Sequence, residues 1–177
     1  MTNTNTTNTT DSTISDATEA LAAWRHTLDT CEPLTDSQAL QLNQASNAGD
    51  DQRDMIVFIT AMPSLTEQDV TVWLTNPDAT SPMGQRLLDG ISGPGRPIPS
   101  SRIDQAVSQL DRIADAQSDQ QAEPYALQAS LYWLDGRYTA ALERALTALQ
   151  KDPDSRLGRL MRLCVVTGTA SPWSTQA

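Results

Sequence analysis

Apolar positions recur at helical spacing through most of the chain. Ala17, Leu21, Trp24 and Leu28 fall at i, i+4, i+7 and i+11, the signature of one buried helical face. The pair Asp16 and Glu19 predicts the start of that helix. Cys31-Glu32-Pro33 predicts its end, because a residue preceding proline avoids the α region. Thr35-Asp36-Ser37-Gln38 has capping-box spacing, with Leu34 and Ala39 in hydrophobic-staple positions, and opens a second helix that stops at Gly49. A third starts at Asp50 or Asp51. Its run Met55–Ile59 is apolar without period, and its β-branched content leans towards strand. No second strand exists to pair its backbone groups, so the run is expected to be helical. Ser64-Leu65-Thr66-Glu67 suggests a fourth start, with Val70, Trp73 and Leu74 on one face.

Residues 76–99 are the least regular. A short helix is expected from Met83 to Asp89, then a linker through Ile91-Ser92-Gly93-Pro94-Gly95-Arg96-Pro97-Ile98-Pro99. This is not a phosphate loop: it lacks the Gly-Lys-Ser/Thr ending and a preceding strand, and its prolines carry no N–H. From a cap at Ser101, Ile103, Ala106, Val107, Leu110, Ile113 and Ala114 keep an amphipathic pattern over three turns.

The span Ala122–Ser155 resembles a single tetratricopeptide repeat. Tyr125 and Tyr132 take aromatic positions, Ala129 the small crossing position, Gly136 and Tyr138 the G-x-Y turn, Ala141 and Ala148 the small positions of the second helix, and Pro153 the closing proline. Gln128 and Ala145 depart from the pattern, which has leucine and a large aromatic there. Gly136 suits the left-handed conformation that ends one helix and lets the next begin. Ala141, Ala145 and Ala148 share a face with almost no side chain, so two antiparallel helices can approach closely. Pro153 is expected to begin the next helix, whose apolar face reads Leu157, Leu160, Met161 and Cys164. No second copy of the repeat exists, and one repeat cannot bury its own faces. The hairpin is therefore expected to dock on the upstream helices.

Leu127–Trp133, the Asp135-Gly136 turn, Ala141-Leu142-Glu143-Arg144-Ala145-Leu146, Asp152-Pro153 and Arg156-Leu157 together resemble the closing segment of the actinobacterial domain of unknown function 4192 family. Arg53-Asp54 before Met55–Ile59 is similar to an upstream helix of that family. The resemblance spans residues 34–173 and is specific from 122 to 164. Family members begin with a strand-containing half that has no counterpart here, so the chain looks like the helical C-terminal half or a short relative. The family name carries no activity.

Composition narrows the function classes. The 177 residues carry 22 acidic and 12 basic side chains, a formal net charge of −10, which makes nucleic acid an unlikely main partner because that affinity rests on a basic face. The longest apolar run has five residues, far below the roughly 20 of a membrane span, and no secretory leader opens the chain. Cys31 and Cys164 form no C-x-x-C pair and are expected to be buried thiols in a reducing compartment, the cytoplasm. With one histidine, His26, a metal site built on several His/Cys ligands is not expected. Residues 2–10 are only Thr and Asn, so residues 1–13 are expected to form a disordered tail, 14–168 one helical domain with the hairpin at 122–155, and 169–177 a flexible C-terminus.

No nucleophile–base arrangement can be assembled, so no catalytic residue, cofactor, metal or small-molecule substrate is expected. His26 lies off its helix's apolar face, and Asp50 and Asp51 suit a helix N-terminus. Charge is asymmetric: residues 136–166 hold six basic and three acidic groups, a net +3, leaving −13 for the remainder. Arg156, Arg159 and Arg162 recur every third residue, as solvated charge near helix ends, as a docking stripe for an acidic peptide or for the chain's own acidic helices, or as a nucleic-acid contact. Ser130 and Trp133 match the concave lining of a repeat, where Trp133 is either a partner anchor or core packing. The sequence thus points to an all-α compact bundle of about seven or eight helices. Its expected role is a non-enzymatic protein-interaction or regulatory module, with Ser130, Trp133, Arg156, Arg159 and Arg162 as partner-binding candidates. The alternative is an accessory half of an enzyme whose catalytic domain lies on a separate chain.

Overall fold

A computed structural model describes residues 6–92, 98–116 and 121–173, with side chains from residue 14 onward. The described residues form nine α-helices and no strand. In chain order these are α1 (Thr6–Thr30), α2 (Asp36–Ala48), α3 (Asp50–Ala61), α4 (Glu67–Thr75) and α5 (Pro82–Ser92), then α6 (Ser100–Ala116), α7 (Glu123–Leu134), α8 (Tyr138–Lys151) and α9 (Arg156–Val166). The chain is the all-α helical bundle its patterning implies, with one helix more than the upper expectation.

The local signals explain most boundaries. Thr35 caps α2 as a full box: its hydroxyl accepts from the Gln38 N–H at 3.3 Å, and Gln38 Oε1 accepts from the Thr35 N–H at 2.9 Å. The fourth helix begins two residues later than Ser64 suggested, because Thr66 and Asp69 form the working box. Pro82 takes the first position of α5 and Ser81 Oγ accepts from the Gly84 N–H, so the short helix expected at 83–89 extends to eleven residues. Pro153 lies in the turn before α9 rather than opening it; Ser155 is the cap, accepting from the Gly158 N–H at 3.1 Å.

Both chain ends differ from expectation. α1 already runs from Thr6, ten residues before Asp16, so the expected tail reaches into this helix, while residues 1–5 lie outside the described residues. Residues 169–173 are docked instead of loose. Gly168, at φ 70°, turns the chain back. Ser171 then donates to the Leu134 carbonyl at 2.6 Å, and the Trp173 indole donates to the Ile91 carbonyl at 2.8 Å. Residues 174–177 lie outside the described residues.

The main core is built from large side chains of α1 to α7. Trp24 is fully buried, its indole donating to Thr60 Oγ1 at 3.1 Å, among Leu21, Leu42, Met55, Ile56 and Ile59. The aperiodic run Met55–Ile59 is helical and largely buried, which is why it shows no polar face. Arg102 of α6 ties this layer together by donating to the Leu28 and Thr60 carbonyls and pairing with Asp29 at 2.8 Å.

α7 packs against α2, α3, α6, α8 and α9. A helix surrounded in this way cannot keep a polar face, and eight of its twelve residues are buried. Gln128, where a repeat has leucine, is fully buried and donates to Asp111 Oδ1 at 2.9 Å and to the Val107 carbonyl. It thus pins α7 to α6. Gly136 adopts φ 77°, and α8 folds back along α7 with Ala141, Ala145 and Ala148 entirely buried. Ala148 packs with Ala122 and Ala126, and Ala145 packs with Ala129 of α7 and Met161 of α9.

Candidate interaction site

The outer side of α9 is the place to begin. Once Gly158 and Met161 face inward, geometry leaves Arg156, Arg159, Leu160, Arg162, Leu163 and Val166 outward. Seven large hydrophobic side chains are exposed among the described residues: Leu40, Val72, Leu88, Leu146, Leu160, Leu163 and Val166. The first three are scattered over three helices. The last four belong to α8 and α9, and Leu163 and Val166 are 59% and 64% exposed. Leu160 therefore does not belong to the buried face as its spacing suggested. It lies on the solvent side of the helix, and Cys164 is half-buried.

The three arginines are not equivalent. Arg156 pairs with Asp50 of α3 at 2.9 Å, and Arg159 pairs with Asp154 while donating to the Pro153 carbonyl. Arg162 makes no hydrogen bond or ion pair among the described residues and stays exposed. The stripe thus has two anchored cations and one free one, interleaved with aliphatic side chains. Ser130 is buried, and its hydroxyl donates to the Ala126 carbonyl. Trp133 is half-buried and its indole donates to the Thr169 carbonyl at 3.0 Å, so it is a wall and not a projecting anchor. Cys31 is exposed, contrary to expectation, because it directly follows α1 in a left-handed conformation at φ 64°.

Trp133 and Ser130 do line an open cleft of about 160 Å³ between α3, α5, α7 and α9. Val57, Phe58, Ile91, Leu157 and Met161 supply most of its remaining wall, and Asp54 is the one ionisable group lining it among the described residues. Beside it Arg53, with a largely buried side chain, contacts Asp50 at 2.9 Å, Glu123 at 3.3 Å and Asp54 at 3.5 Å. Burial pushes the Asp54 and Glu123 carboxyls above their usual range, with Arg53 offsetting only part of it. Burial alone would favour neutral Arg53, but the three carboxylates hold it firmly charged.

Sequence reasoning missed this network. Asp50 and Asp51 read as helix-terminus charge, and nothing local announces that Glu123 and Arg156 converge on the same point. Among the described residues no group of three or more His, Cys, Asp or Glu side chains is placed to hold a metal ion, and no helix is long and apolar enough to cross a membrane. Comparison with protein-family models, with curated proteins and with solved structures finds no match.

Proposed function

We propose that the chain is a non-catalytic protein-interaction module whose docking surface is the outer face of α9, and that its partner presents an acidic amphipathic helix. The observation carrying this reading is the alternation of exposed Leu160, Leu163 and Val166 with Arg159 and Arg162 on one helix. Aliphatic side chains at helical spacing offer area to an apolar partner face. The flanking guanidinium groups favour carboxylates and disfavour basic competitors. The chain is acidic overall, and this segment is its basic exception, so the recognition surface differs in sign from the rest of the molecule. Two free thiols, one of them exposed, suit a reducing compartment such as the cytoplasm.

Peptide-display selection against the immobilised full chain tests the reading. Selected segments should carry apolar residues at i, i+3 or i+4, and i+7, flanked by Asp and Glu. The double reversal Arg159→Glu, Arg162→Glu should abolish their binding while leaving the helical circular dichroism unchanged. Selection of sequences indifferent to that reversal would overturn it.

A further inference from the structure

The cleft beside Trp133 has no role in docking on the outside of α9, yet its chemistry is specific. It is walled by aliphatic and aromatic groups, and its volume of about 160 Å³ is close to that of an apolar cavity known to accept one benzene ring. Its polar content is nearly all satisfied internally. The Ser130 hydroxyl is committed to Ala126 and the Trp133 indole to Thr169. The exception is Asp54, whose only hydrogen bond among the described residues is the long 3.5 Å contact from Arg53 to Oδ1.

Charge in the neighbourhood does not balance. Asp50, Asp54 and Glu123 face two guanidinium groups, Arg53 and Arg156. Both Asp50 oxygens are taken, one by each arginine. Arg53 divides itself among three carboxylates and sits farthest from Asp54. Among the described residues carboxylates thus outnumber guanidinium groups at this point, and the least tightly paired of them is the one that lines the cleft. Asp51 adds repulsion to the same group.

We propose that this cleft is a binding site for a small organic monocation: a primary ammonium group on an aromatic or branched aliphatic body the size of a benzene ring. The body fills the space between Phe58, Ile91, Trp133 and Met161, and the ammonium pairs with Asp54 at the edge, where the carboxylate is still half-exposed. A charge-assisted hydrogen bond there gives the carboxylate a direct cationic partner in place of solvent and offsets the local excess of negative charge. An anionic ligand of the same shape meets that surplus and is rejected.

Benzylammonium is the probe, followed by amide NMR on the full chain, with benzyl alcohol and benzoate as the neutral and anionic isosteres. Benzylammonium should saturate one site and perturb residues of the cleft, binding about tenfold tighter than benzyl alcohol, with benzoate weakest. Asp54→Asn should reduce benzylammonium to the level of the alcohol and leave the alcohol unchanged. Val57→Phe, which fills the cleft from a half-exposed position, should block both while the melting transition persists. A phenylalanyl peptide with a free amino terminus separates the two sources of this chemistry: equal affinity assigns a polypeptide amine, exclusion a free one. Equal binding of benzylammonium and benzyl alcohol to the native chain, or indifference to Asp54→Asn, would overturn the proposal.

Discussion

The two halves of this bundle are held together in opposite ways. In the layer of α1 to α6, completed by the inner leucines of α7, bulk does the work: Trp24, Leu21, Leu42, Met55 and Ile59 fill one continuous core. In the layer of α7 to α9 the contact is made by what is missing. Ala126, Ala129, Ala141, Ala145 and Ala148 are all fully buried, so methyl groups fill much of the seam and each contributes little area. The first layer is stabilised by apolar surface removed from water, the second by close packing at native density. Removing atoms should therefore damage one layer, and adding them the other.

The largest effect should come from Trp24→Ala, which empties the centre of the first core and deletes the indole bond to Thr60; a loss of about 3–5 kcal/mol is expected in chemical denaturation. The mirror experiment is Ala145→Leu. It should overpack the α7–α8 seam by about 1–3 kcal/mol, and a neutral result would show the seam can open, breaking the contrast. Gly136→Ala should cost about 1 kcal/mol although nothing lies within 4 Å of an added Cβ, because the left-handed backbone alone penalises it.

Smaller still is the effect of Asp54→Asn, read as stability against pH. The folded carboxyl titrates above its unfolded value. Its contribution is present in full below the unfolded value and is lost as pH rises through the folded one. The variant, which has no such loss, should gain on the native chain as pH rises from the ordinary carboxylate range through the raised folded value. Leu163→Ala should be the mildest, within about 0.5 kcal/mol on stability, while weakening any peptide that docks on α9. A large stability loss there would place Leu163 in a core and remove the proposed surface.

Legibility in the sequence followed the same divide. Elements whose burial is periodic, such as Ala17-Leu21-Trp24-Leu28 or the alanines of α8, declared both their helix and its face. Gly136 declared its turn by residue type. What stayed hidden depends on separate elements meeting. The cleft needs α3, α5, α7 and α9 together, and Asp50 and Arg156 are 106 positions apart in the chain. The docking of Trp173 was invisible for another reason: one tryptophan among Ser, Pro and Thr carries no period, so only its carbonyl partner at Ile91 reveals it. Leu160 misled because spacing at i+3 fits a buried stripe, whereas α8 and α7 cover only the side of α9 that holds Gly158 and Met161.

The return of the chain at Gly168 also decides where an attached probe would report. Because Trp173 is latched to the Ile91 carbonyl, a fluorophore or tether joined after it leaves the molecule near the rim shared by α5 and the cleft. Such a label would report on the proposed cleft ligand, and the opposite flank of the final helix would stay clear for the proposed docking partner.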